Sequence, residues 1–238
     1  MREKLYPLLT FLAKYKVKYR VEAVNACSPL PDKPVIYAAN HSAFCDIPIV
    51  LRVMGRHIYP FVGKQNLEVL DKIFLTLNGT IWVDRQNKES RAEAKKTLIK
   101  YLVKGCSVLW FPEATWNLTA NMLMLPMRWG IIEVAHRAEA QIIPMALEYD
   151  RNKRTCRVKF GNPMTGDVLA DKAEGIRLLR DELATLRWDL MCNNDVLHRE
   201  QLDVMQLKSE AESAIDEYPP LDWEYEITLQ LCCCNGKK

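Results

Sequence analysis

The stretch "PVIYAANHSAFCDIP" (34–48) decides how this chain folds. Val35–Ala39 reads as a buried strand, and a polar cluster of Asn40, His41 and Asp46 stands at its end. "IPIVLRVMG" (47–55) follows as a short helix stopped by Gly55. A strand that runs through a polar turn into a helix is the first half of a crossover unit.

The alternation continues outward from there. "HIYPFVGK" (57–64), "TIWVDR" (80–85), "SVLWFPE" (107–113) and "QIIPMALEYD" (141–150) read as strands. Between them, "NLEVLDKIFLTLNG" (66–79) carries Leu67, Leu70, Ile73, Phe74 and Leu77 on one helical face. "SRAEAKKTLIKYLVKG" (90–105) starts at a serine N-cap, and "GIIEVAHRAEA" (130–140) is helical. The expectation is an α/β chain: a single domain with a mixed, largely parallel sheet flanked by helices over 31–165. A basic amphipathic segment (1–30) precedes it. A helical extension (166–238) follows, with Ile176, Leu179, Leu183, Leu186 and Leu190 on one stripe that packs on the core. "WEYEITLQL" (223–231) reads as a further strand.

Composition narrows the function classes. With 49% hydrophobic and 26% charged residues, the chain can bury a core without disulfides. A net charge of +3 is too small to point to nucleic acid, and none is expected as a partner. The N-terminus differs: Arg2, Lys4, Lys14, Lys16, Lys18 and Arg20 surround Leu5, Leu8, Leu9 and Leu12 at helical spacing. That run is far shorter than the ~20 residues a spanning helix needs. It fits a helix lying on an anionic membrane surface, or one packed on the domain with its lysines solvated. Eight cysteines without a secretory signal read as reduced thiols, so the expected location is cytoplasmic and peripheral to a membrane. The terminal run Cys232–Cys234 is assigned no role. No His or Cys spacing is that of a zinc site, and no metal is expected.

Ligands of open α/β sheets bind beyond the carboxyl ends of the strands. Three such ends carry chemistry here: Asn40–His41–Asp46, Asp84–Arg85 and Pro112–Glu113–Ala114–Thr115. The fourth, Ile142–Ile143–Pro144, is apolar, with the proline shaping a wall. On one helix His41 and Asp46 would point about 140° apart. With His41 in the turn and Asp46 in the first helical turn they meet, and the carboxylate fixes the imidazole tautomer, leaving the other nitrogen free as a base. The bland alternative makes Asp46 a helix cap and His41 a core histidine. Arg85 has the planar fork that suits phosphate.

In this order the blocks resemble the glycerolipid acyltransferase family, whose best-known members are the 1-acylglycerol-3-phosphate acyltransferases. The family's Asn-His-x4-Asp matches Asn40, His41 and Asp46. Its glycine-led strand ending in arginine matches Gly79 through Arg85. Its Phe-Pro-Glu-Gly-Thr matches Phe111, Pro112, Glu113 and Thr115, and its apolar block ending in proline matches Ile142–Pro144. "GKQNL" (63–67) resembles the segment between the first two. The likeness covers about residues 35–165. It departs at Ala114, where glycine is usual, and at Trp116–Asn117, where Arg-Ser is usual.

The resemblance implies transfer of a fatty acyl group to a lysophospholipid hydroxyl. The donor is acyl-CoA or acyl-carrier protein, with no other cofactor. His41 and Asp46 are the candidate catalytic pair. Asn40, Lys64, Arg85, Glu113 and Thr115 are candidate substrate-binding residues, with Arg85 and Lys64 on the phosphate and Glu113 and Thr115 on the glycerol. Backbone N–H groups between Asn40 and Ser42 are candidate oxyanion donors. Trp116, Met122 and Met124 lie in an apolar stretch suited to an acyl chain or lipid. Three readings compete with this one: transfer to another amphiphilic acceptor, thioester hydrolysis, and a non-catalytic lipid-binding module.

Overall fold

The computed structural model describes residues 2–25, 34–64, 67–118, 122–151 and 153–192, with isolated positions beyond, at 203–205, 208–209 and 212. Cys27, Gln65, Asn66, the "WEYEITLQL" strand, Cys232–Cys234 and most of the C-terminal extension lie outside the described residues.

In chain order the elements are α1 (Tyr6–Lys16), β1 (Arg20–Ala23), β2 (Val35–Ala39), α2 (Asp46–Met54), β3 (Tyr59–Gly63), α3 (Val69–Leu77) and β4 (Ile81–Val83). Then follow α4 (Lys88–Val103), β5 (Val108–Trp110), α5 (Gly130–Arg137), β6 (Gln141–Asp150), β7 (Thr155–Phe160) and α6 (Lys172–Cys192). The strands form one sheet in the order β1-β7-β6-β2-β5-β3-β4. Every neighbouring pair is parallel except β6 and β7. The mixed, largely parallel sheet expected from the alternation is therefore present.

β2 is buried along its whole length because both faces of a central parallel strand are covered. Its side chains alternate between two cores. Val35, Tyr37 and Ala39 join the cluster under α1, α2 and α3. Ile36 and Ala38 join the cluster under α4, α5 and α6. In α6 the expected stripe is inward: Leu179, Leu183, Leu186 and Leu190 are buried. Arg187 bonds Glu148 of β6 at 3.0 Å and Lys159 of β7 bonds Asp189 at 2.8 Å, so the helix is fastened to the sheet as well as packed on it.

Three local expectations need correction. The N-cap of α4 is Asn87, whose side chain accepts from Ser90 N–H; the Ser90 hydroxyl turns back to accept from Asp84 N–H. In α3 only Asp71, Phe74 and Leu75 face inward, whereas Val69, Leu70, Ile73 and Leu77 are exposed. The apolar stripe of α3 is therefore only partly covered, with Phe74 and Leu75 reaching the core. Finally, Ile142–Pro144 lies near the amino end of β6, paired with Ile36–Ala38, and does not stand at a carboxyl end. The carboxyl end of β6 carries Glu148, Tyr149 and Asp150 instead.

Candidate active site

The turn after β2 is built around one carboxylate. Asp46 is the first residue of α2 and is fully buried. Its Oδ2 accepts from Ser42 N–H at 2.8 Å and Ala43 N–H at 3.0 Å, and lies 2.7 Å from His41 Nδ1. Those two backbone donors belong to the turn that precedes α2, so Asp46 fastens that turn; it is not the helix cap, since the N-cap position is Cys45 and no side chain caps the helix. It also grips the imidazole. Of the two readings left open by the sequence, the pairing of Asp46 with His41 is present and the helix cap is not. With Oδ2 as acceptor, Nδ1 carries the proton and Nε2 presents its lone pair.

His41 is held through its backbone as well as its ring. Its N–H donates to Glu113 Oε1 at 3.0 Å, and its C=O accepts from Asn117 N–H at 2.6 Å. Its ring stacks on Phe111 at 4.1 Å and tilts toward Trp116 at 5.2 Å. The side chain keeps 13% exposure, enough to be reached from outside. Trp116, standing where arginine is usual, is thus an aromatic wall beside the His41 imidazole. Asn117 is a brace: its side chain also donates to Met122 O at 2.9 Å.

Several candidates have other duties. Asn40 is fully buried and clamps Leu147 of β6, donating to its C=O at 3.0 Å and accepting from its N–H at 2.7 Å. It ties two strands together and does not face a substrate. Glu113 is buried, with Oε1 on His41 N–H and Oε2 on Leu125 N–H at 2.7 Å. Both oxygens serve the backbone, so Glu113 braces the His41 turn and is not placed to hold glycerol. Thr115 is buried in the same turn. Met124 is buried in the core and is not a lipid contact, while Met122 and the neighbouring Leu118 are exposed. The N–H groups of His41, Ser42 and Ala43 are all committed to carboxylates, which removes those of His41 and Ser42 as ready oxyanion donors.

Ala114 has φ 63°, the left-handed conformation that favours glycine. A non-glycine residue there costs about 1 kcal/mol. The turn that aims Glu113 at His41 keeps this geometry despite the alanine.

Burial pushes the Glu113 carboxyl up to about 7, against the two backbone N–H donors that favour the charged form. The folded value lies above the ordinary 4.5, so its contribution to stability is greatest below pH 4.5 and is lost as pH rises to about 7. Relative to Glu113→Gln, the native chain is expected to lose about 3 kcal/mol of unfolding free energy across that window. Urea denaturation of both proteins at several pH values measures it. Parallel pH profiles would show that the carboxyl is not the titrating group.

Arg85 and Lys64 stand at the ends of β4 and β3. Lys64 is exposed, and its N–H bonds Val83 O at 2.8 Å. The Arg85 guanidinium lies across the backbone of Gly63, so close that a Cβ at Gly63 would stand 2.6 Å from its Nε. β4 lies three strands from β2 in the sheet, roughly 14 Å at ordinary strand spacing. His41 and Arg85 therefore occupy one rim but do not touch. Phe111, Asn117 and Gly63 stand in the motif blocks but have no site role assigned by the sequence, and the sequence does not single out Tyr149 at all. Of these, Tyr149 adds a further bond to the central carboxylate, donating its hydroxyl to Asp46 Oδ1.

Among the described residues no group of three His, Cys, Asp or Glu side chains could hold a metal ion. No helix there is long and apolar enough to cross a membrane.

A 1-acyl-sn-glycerol-3-phosphate acyltransferase of Neisseria meningitidis is 28% identical over 196 residues, covering 79% of this chain and 71% of the relative. One from Chlamydomonas reinhardtii is 30% identical over 121 residues, 50% of this chain but only 35% of that protein's length. The crystal structure of the 1-acyl-sn-glycerophosphate acyltransferase PlsC from Thermotoga maritima superposes with a TM-score of 0.65. At 14% identity over 82% of this chain and 83% of that one, it shares the fold. The Acyltransferase family model matches residues 17–148, more than half of the 238 residues, and with the His41–Asp46 turn inside that span the chain belongs to the acyltransferase family.

Proposed function

We propose that this chain transfers a fatty acyl group from a thioester to the hydroxyl of a lysophospholipid, 1-acylglycerol 3-phosphate first among them. The observation that carries the reading is the 2.7 Å contact between His41 Nδ1 and Asp46 Oδ2, with the ring still partly open at the strand ends. Similar proteins bear the name 1-acyl-sn-glycerol-3-phosphate acyltransferase, which supports the acceptor.

In the proposed step, His41 Nε2 takes the proton of the acceptor hydroxyl as its oxygen attacks the thioester carbonyl. The tetrahedral intermediate collapses, the C–S bond breaks, and the thiolate recovers the proton from the imidazolium. Asp46 holds the ring and stabilises its charge. The acceptor supplies the nucleophile, so no acyl-enzyme forms. The donor is acyl-CoA or acyl-carrier protein. Incubation of labelled acyl-CoA and labelled acyl-carrier protein with a panel of lysolipids tests this. Release of free fatty acid at the same rate with and without lysolipid would favour a hydrolase and sink the reading.

Arg85 is proposed to hold the acceptor phosphate. Gly63→Ala is the sharp test, because its new Cβ displaces the guanidinium. The displaced atoms belong to the end of a flexible side chain, so stability should change little. The loss of one charge-assisted contact is expected to raise KM for the acceptor about tenfold. Unchanged KM would remove Arg85 from the acceptor site.

A peripheral membrane position belongs to the same proposal. Leu8 and Phe11 of α1 are exposed beside Lys4 and Lys14, and α3 adds Val69, Leu70 and Ile73. Apolar side chains bordered by lysines suit an anionic lipid surface.

A further inference from the structure

We propose that Tyr149 is the outer positioning residue of the catalytic pair, forming with Asp46 and His41 a hydrogen-bonded line that sets the orientation of the base. The inference rests on the acyl-transfer reading for its kinetic consequence, but its geometry stands apart from it. Asp46 has two oxygens with different partners. Oδ2 serves His41 and two backbone N–H groups of its own turn. Oδ1 accepts from the Tyr149 hydroxyl.

That division matters mechanically. The three contacts on Oδ2 all come from residues 41–43, within five positions of Asp46. They fix the carboxylate relative to its own turn and nothing else. Tyr149 is 103 positions away, on β6, and its bond fixes the carboxylate plane relative to the sheet. Rotation about the Asp46 side chain would swing His41 Nε2 away from a bound acceptor. The long-range bond opposes that rotation.

The rest of the first turn holds Tyr149 in register. Asn40 clamps both backbone groups of Leu147, two residues before Tyr149 on the same strand. Residues 147 and 149 of a strand point to the same face. One asparagine thus joins the turn carrying the base to the strand carrying its outer support. Tyr19 packs edge-on against the Tyr149 ring at 5.1 Å, and Cys45 Sγ approaches its hydroxyl at 3.8 Å. Burial, and the Asp46 charge beside it, raise the phenol well above its ordinary range. It stays protonated under working conditions and remains a donor. A phenylalanine would fill the same space without the O–H.

Tyr149→Phe is expected to lower kcat about tenfold, the rate equivalent of one charge-assisted hydrogen bond, with KM for donor and acceptor each within twofold. In substrate-free protein labelled at histidine, the Nδ1–H proton resonance of His41 should move, assigned by its disappearance in His41→Gln. A folded variant with unchanged kcat and an unmoved resonance would overturn the proposal. So would a fall in kcat accompanied by a rise in KM and an unmoved resonance, which marks a packing role. If Tyr149→Phe does not fold, 3-fluorotyrosine at position 149 keeps the shape and strengthens the donor; the resonance must then still move, and an unmoved one overturns the idea. If the native protein transfers no acyl group, the functional reading fails, while the resonance still decides whether Tyr149 acts on His41.

Discussion

His41→Ala is expected to lower acyl transfer by about 10²–10⁴-fold while leaving the chain folded, the range set by loss of a positioned general base. The argument for an intact fold comes from what remains. Without the imidazole, Asp46 still accepts from Ser42 N–H, Ala43 N–H and the Tyr149 hydroxyl, so no buried charge is stranded. The backbone of residue 41 keeps its bonds to Glu113 and to Asn117 N–H. The loss is a partly exposed ring between Phe111 and Trp116, a site where neighbours can relax. A thermal midpoint near that of the native protein, with transfer reduced to background, is the expected pair of results. Transfer at the native rate would remove His41 from the chemistry, whatever its geometry.

The sequence revealed the sheet and its central turn because both are written in local patterns. Alternating strand and helix signals over 35–150 gave the layer order, and Gly55 and Gly105 ended their helices with positive φ, as glycines do there. The pairing of His41 with Asp46 was legible because a turn and a helix start are short-range objects. Duties assigned across space were not. Asn40 and Glu113 are polar residues near the base, and sequence spacing cannot separate a residue that faces a substrate from one that braces a strand. The distinguishing fact is where their partners lie: Leu147 is 107 positions from Asn40, and His41 is 72 from Glu113. Tyr149 escaped for the same reason, since nothing in "MALEYD" marks one tyrosine as aimed at an aspartate over a hundred residues earlier. The stripe on α3 misled in the opposite direction. Helical periodicity identifies an apolar face but not what covers it, and here much of that face is open.

Asp46→Asn is the substitution that separates charge from hydrogen bonding, and its expected cost is about 10³-fold in kcat. An amide has one acceptor and one donor end. Three N–H groups converge on the Oδ2 position, so the amide oxygen belongs there and the amide NH₂ faces Tyr149. The tyrosine hydroxyl can turn to accept it. The His41 tautomer and the helix start are then preserved, and the missing quantity is the negative charge that stabilises the imidazolium as it forms. At about 4 Å and an effective dielectric near 20, a unit charge pair is worth roughly 4 kcal/mol, which converts to about three decades of rate. Asp46→Ala removes the hydrogen bonds as well and leaves Ser42 and Ala43 N–H unpaired near the start of a buried helix. Its cost should appear in stability too, by roughly 1–3 kcal/mol for each donor left without a partner. Saturating kinetics and thermal unfolding of the two variants side by side distinguish these effects. If Asp46→Asn transfers acyl groups within tenfold of the native rate, the carboxylate charge is not what the base requires, and Asp46 only fastens the turn that carries it.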